Sequence, residues 1–179
     1  MNKLNLKRLT VTAIMAAAAC VLGPLSVPLP ISLVPISICT LVFYLFSYLL
    51  RARECVIACI VYMLLGIAGL PVFSGFRSGV AVFAGPTAGY LIGYLFLCLI
   101  CPFAVNRWPA RRGMHLLAMI VATAVLYAFG TAWYAIYAKI SVGAALAVAV
   151  LPFLPGDVAK IIIAFLIGPV LRKAILKNT

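Results

Sequence analysis

Long apolar runs, broken by short charged or Pro/Gly-rich segments, alternate along this chain. The pattern predicts six membrane-spanning helices, over about residues 9–25, 36–50, 55–70, 80–105, 116–137 and 156–172, in one all-α membrane domain over 1–179. Three breaks are unusual. Residues 26–35 hold Pro28, Pro30 and Pro35 and no charge, which predicts a stiff apolar loop suited to a lid. The second is a Gly-rich loop, Gly69 to Gly79, around the lone Arg77. It leads into Gly85, Gly89 and Gly93, a helix stripe without side chains against which a neighbouring helix or a ligand can press. The third is Pro155-Gly156-Asp157, preceded by the run 142–154, which reads as a short helix near the outer surface.

Composition places these runs in a membrane. The chain is 67% hydrophobic and 9% charged, with a mean hydropathy of +1.27. Such a chain lacks the polar groups to cover a soluble surface. A formal charge of +12 would suit nucleic acid, but the cations lie in small groups between apolar spans, so the expected partner is the lipid bilayer and not nucleic acid. Lys3, Lys7, Arg8, Arg51, Arg53, Arg107, Arg111, Arg112, Arg172, Lys173 and Lys177 all fall on one side of a six-span chain. Arg77 and Lys139 fall opposite. The positive-inside rule then places both termini in the cytoplasm, in a multi-pass protein of the cytoplasmic membrane.

The six cysteines lie in or beside apolar spans, and Cys98-Leu99-Ile100-Cys101 has neither a second pair nor a nearby histidine, so small buried hydrophobes are expected. His115 beside the basic turn reads as a surface imidazole. No metal site, cofactor or enzyme chemistry is expected: there is no nucleophile with an adjacent base and no phosphate loop.

Asp157 is one of only two acids and sits three residues before Lys160. It can cap the helix that follows the Pro-Gly break or lie in its first turn, on one face with Lys160. Twelve residues, roughly 18 Å of helix, separate Lys160 from Arg172. In a hydrocarbon core about 30 Å thick this leaves Lys160 inside the membrane. A charge there costs about 2.5–3.5 kcal/mol on insertion scales and calls for a polar cavity and a partner. The alternative is a self-neutralising pair that snorkels to the surface. An outward cavity with Arg77, Lys160, Asp157, glycine backbone and aromatic walls fits a small anionic ligand with an amide-like group.

Gly69-Leu70-Pro71-Val72-Phe73, Gly85-Pro86-Thr87-Ala88-Gly89-Tyr90-Leu91-Ile92-Gly93-Tyr94 and Pro152-Phe153-Leu154-Pro155-Gly156-Asp157-Val158-Ala159-Lys160 together resemble the signature segments of the BioY family. Those proteins are the biotin-binding S components of energy-coupling factor (ECF) transporters. The resemblance implies high-affinity biotin binding, and partnership with a transmembrane coupling protein and ATPase subunits. It also places Asp157 and Lys160 in the biotin site, with Arg77, Tyr90, Gly85, Thr87, Phe73 and Tyr134 completing the candidate set. On chemistry, Asp157 suits the ureido N–H groups, Lys160 or Arg77 the valerate carboxylate, and Tyr90 and the aromatics near Tyr134 the thiophane ring. Ser37 and Cys39 stand where the family is expected to have Thr and Gln, and Ala88 where it has Gly. Ala13 and Ala17, four apart on span one, resemble the small-residue face by which related S components contact the coupling protein. The alternatives are an S component for another vitamin and a self-sufficient secondary transporter. The latter would want an ion relay or two homologous halves, and neither is visible.

Overall fold

In the computed structural model, which describes residues 3–30 and 32–176, the chain forms seven α-helices and one two-stranded ribbon. α1 (Lys3–Leu22) leads into β1 (Ser26–Leu29) and β2 (Ser32–Ser37), then α2 (Cys39–Leu49) and α3 (Ala52–Ile67). A 3₁₀ turn (Val80–Ala84) precedes α4 (Ala88–Arg107), α5 (Arg112–Ala138), α6 (Val142–Ala149) and α7 (Leu154–Leu176). Three segments are long and apolar enough to cross a membrane: Ala88–Arg107, Arg112–Ala138 and Leu154–Ile175. Lys177, counted among the basic residues of one side, lies outside the described residues.

Three sequence expectations need correction. Residues 26–35 are not an irregular loop: Ser26 pairs with Ser37, Val27 with Ile36 and Leu29 with Ser32, antiparallel. A proline is tolerated in a two-stranded ribbon because each strand has a free edge, and Pro28 sits where the register slips, between Val27 and Leu29. Span two therefore begins later than residue 36, since Ile36 and Ser37 belong to β2. Span four likewise begins at Ala88 rather than 80, because Gly79 at φ 84° and the Gly85-Pro86 pair separate a 3₁₀ turn from the helix proper.

α2 and α4 carry the centre of the bundle. Phe43, Tyr44, Leu97 and Cys98 are buried there, against Met119 of α5 and Ala164 of α7. α4 packs along α5 through the glycine stripe: a Cβ on Gly93 would meet Leu126, and one on Gly89 would strike Trp133 and the Phe129 carbonyl. For these two positions the stripe is a helix contact, not a ligand surface. The outward faces remain apolar, with Leu99, Phe103, Leu117, Ile120, Leu166 and Val170 exposed, as a lipid-facing surface requires.

Glu54 ties the start of α3 to α1. Its side chain accepts from the Arg51 backbone N–H (2.9 Å), satisfying an open donor at the start of α3, and lies 3.5 Å from Arg8 of α1. His115, expected at the surface, is buried: its Nε2–H donates to the Trp108 carbonyl (3.0 Å) and its ring meets Tyr48 edge-on. The five cysteines from Cys39 to Cys101 are free and buried, as expected of small hydrophobes, while Cys20 is partly buried.

Candidate functional site

The chemistry gathers under the ribbon. Pro155 enters the first turn of α7, where its missing N–H costs nothing. Asp157 follows in the same turn. It does not cap the helix, since its own N–H already donates to the Phe153 carbonyl (2.9 Å) and its carboxylate turns inward. Oδ1 accepts from Lys160 Nζ at 2.7 Å, and Oδ2 accepts a short hydrogen bond from the Tyr127 hydroxyl of α5. Lys160 also donates to the Ser37 carbonyl at the end of β2 (2.6 Å). Asp157 is only 6% exposed, so the snorkelling alternative is excluded: the pair is held inward by three elements, α7, α5 and β2.

Above this cluster a cavity opens to the surface, with about 660 Å³ of free space counting its open mouth. Asp157, Lys160 and Tyr127 form its polar side, with Ser37 and Thr40 at the start of α2. Tyr62, Phe73, Tyr90, Tyr94 and Phe153 supply aromatic wall, and Val34 and Pro35 of the ribbon roof it. The Thr40 hydroxyl is buried and has no partner among the described residues, which leaves it free for a ligand. Tyr90 contributes only its ring, because its hydroxyl donates to the Ala149 carbonyl of α6 (2.6 Å) and fixes α6 over the site.

Arg77 reaches the cavity from a clamped loop. Phe73 and Arg77 exchange backbone hydrogen bonds (3.1 and 3.3 Å), and the residues between them turn through positive φ at Gly75 (73°) and Phe76 (58°). The loop is anchored by Phe73, whose ring fills the notch left by Gly66 in α3. Arg77 itself is exposed, and both acids of the sequence are engaged elsewhere, Glu54 with Arg8 and Asp157 with Lys160.

The BioY family profile matches residues 1–177. This chain belongs to the BioY family. Among curated relatives it is 37% identical over 177 residues to Biotin transporter BioY of Rhizobium etli, covering 92% of each chain. It is 32% identical over 175 residues to Biotin transporter BioY2 of Lactococcus lactis subsp. cremoris, covering 98% of this chain and 95% of the relative. Among solved structures it is similar to the S-component for biotin from an ECF-type ABC transporter, with a TM-score of 0.89 and 28% identity over 97% of this chain and 94% of that one. As a BioY protein it is a multi-pass protein of the cell membrane and a transporter component rather than an enzyme.

Six of the eight candidate substrate-binding residues line the BioY cavity: Asp157, Lys160, Arg77, Tyr90, Thr87 and Phe73. Gly85 and Tyr134 do not. The Gly85 carbonyl accepts from Trp133 Nε1 (2.8 Å), and Tyr134 is buried on α5 away from the wall. A heptad earlier on α5, Tyr127 takes the place expected of Tyr134. The spacing of seven marks both as one helix face, but not which turn meets Asp157. Cys39 is buried and off the wall, so the polar group this part of α2 offers the cavity is the Thr40 hydroxyl.

Lys160→Met should strand a buried carboxylate, a change that costs about 3–5 kcal/mol. Adding Asp157→Asn removes the stranded charge, so the double variant should melt above Lys160→Met alone in detergent. A double variant that melts at or below the single one would show that the pair does not carry this cost.

Proposed function

We propose that this chain is the biotin-binding S component of an ECF-type transporter and brings biotin across the cytoplasmic membrane. The observation that carries this reading is the buried Asp157–Lys160–Tyr127 cluster beneath an aromatic cavity, in a chain so similar to the S-component for biotin. Biotin pairs a ureido group with an apolar bicycle and a carboxylate tail, and the cavity offers a match for each. Each Asp157 oxygen keeps lone-pair capacity beyond the bond it already accepts, and Thr40 offers a free hydroxyl. These two suit the ureido end, and Tyr90, Tyr94 and Phe73 suit the bicycle. For the carboxylate, the geometry favours Arg77 over Lys160. Lys160 is committed to Asp157 and Ser37, whereas Arg77 stands exposed at the cavity mouth.

The same reading assigns topology and partners. Six spans, with α6 as a short helix beside α5 that does not cross, put both termini in the cytoplasm by the positive-inside rule. Ala13 and Ala17 are exposed on α1, while Ala16 and Ala19 face the bundle. The outward alanines are therefore open to close approach by the coupling protein, and the ATPase subunits supply the energy this chain has no nucleotide loop to harvest.

Purified protein should bind labelled biotin, and neither thiamine nor riboflavin should compete. Asp157→Asn and Arg77→Ala should each weaken binding about ten-fold or more, since hydrogen bonds to charged groups are worth about 1.5–3 kcal/mol. Competition by another vitamin, or parental affinity in both folded variants, would overturn the assignment.

Ala17→Trp should leave biotin affinity within about two-fold while abolishing recovery of the coupling complex and ATP-dependent uptake, because bulk on that face blocks helix approach and spares the cavity. An intact complex carrying the tryptophan would refute the assigned face.

With the native cysteines replaced, a cysteine at Ser78 should react with an impermeant thiol reagent on intact cells, and one at Arg111 only after lysis. The opposite pattern would invert the topology.

A further inference from the structure

A second, open crevice lies at the far end of the bundle from Asp157. Arg112 at the start of α5 and Arg172 and Lys173 near the end of α7 converge on it. No acidic side chain among the described residues answers them. The sequence has two acids: Glu54 pairs with Arg8, and Asp157 with Lys160. Three like charges around one crevice repel each other unless an anion from outside the protein lies between them.

The crevice wall also carries two buried polar atoms without partners among the described residues. Tyr48, 2% exposed, has an unpaired hydroxyl, and His115, 4% exposed, an unpaired Nδ1. Both are held in place by other contacts. The Tyr48 ring fills the notch at Gly168, and the residue lines the crevice. His115 donates through Nε2–H to the Trp108 carbonyl (3.0 Å), which in the neutral ring makes Nδ1 an acceptor. Arg172 is aimed by two hydrogen bonds of 3.3 Å, to the Val105 carbonyl and to Asn106 Oδ1, and its remaining N–H groups stay available.

We propose that this crevice binds a phosphate-type anion, either the headgroup phosphate of an anionic lipid or free phosphate. Guanidinium forks and a tyrosine O–H match an oxyanion with several acceptor oxygens. The Nδ1 acceptor matches a hydroxyl on the same ligand, the P–OH of phosphate or a headgroup glycerol. The crevice reaches Pro109 of the basic turn, next in sequence to Trp108, and an aromatic beside clustered cations marks the level of lipid headgroups.

The test uses the full chain in detergent, with phosphatidylglycerol, phosphatidylcholine and inorganic phosphate as probes. Native mass spectrometry reads lipid retention, and thermal melting at matched ionic strength reads stabilisation. Phosphatidylglycerol should be retained and raise the melting temperature where phosphatidylcholine does not. A matching rise with inorganic phosphate assigns the site to the free anion, and its absence assigns it to the lipid headgroup. The doubly substituted Arg112→Gln/Lys173→Gln protein, altered only at exposed side chains, should lose about ten-fold in retention or in the phosphate midpoint. Tyr48→Phe, which keeps the ring in its notch, should weaken the same readout several-fold. Equal retention of both lipids with no phosphate effect would overturn the proposal, as would parental binding in both variant proteins.

Discussion

The structure turns on one buried ion pair. Asp157 and Lys160 are three residues apart on α7, and on an exposed helix such a pair is worth about 0.2–0.5 kcal/mol. Inside an apolar bundle its role changes, because neither charge can be left without partners. Desolvation forces additional donors and acceptors onto it: Tyr127 from α5 and the Ser37 carbonyl from the ribbon. The pair thereby ties α7, α5 and β2 to one point, and that point is the polar side of the cavity. The site's electrostatics and the ribbon's attachment are the same set of hydrogen bonds.

The aromatic walls are positioned differently, by shape. Helices in lipid gain nothing from withdrawing apolar surface from their equally apolar surroundings, so close packing must align them. Here glycines accept rings: Gly66 takes Phe73, Gly130 takes Tyr90 and Gly168 takes Tyr48. A Cβ at any of these positions would occupy space already filled by a ring. Two of the seated rings, Phe73 and Tyr90, are cavity walls, so the packing that joins the helices also sets the shape a ligand meets. The hydroxyl of Tyr90 then reaches Ala149 and carries that constraint to α6.

Local features of the sequence were legible, and relations between distant segments were not. The spacing of Asp157 and Lys160 and the isolation of Arg77 each pointed to a segment that lines the cavity, because each is written within ten or so residues. Tyr127 was missed because nothing near it in sequence marks it: its partner lies 30 residues on. The ribbon was missed because three prolines argue against a central strand, and sequence alone does not reveal that a two-stranded ribbon has only edges. His115 was misplaced for a similar reason. A histidine next to a basic turn reads as solvated, yet the carbonyl of Trp108 and the face of Tyr48 give it a buried seat. The alanines of α1 show the converse. Composition marks them all as small, and only the packing separates Ala16 and Ala19, turned inward, from Ala13 and Ala17, turned outward.

Charge closes the physical picture. With 14 cations against two acids, and both acids placed where they hold helices together, no acidic side chain is left to neutralise the basic end. For a soluble domain, such an imbalance would favour expansion through self-repulsion. In a membrane the opposing charge is supplied by anionic headgroups, each basic residue near the surface gaining about 1 kcal/mol. On the proposed topology, the same imbalance that would burden the isolated chain sets its orientation and depth in the bilayer. Depth in turn decides the character of the ion pair. With Arg172 and Lys173 held at one surface, Lys160 lies twelve residues along α7, roughly 18 Å deeper, where it requires the partners it has.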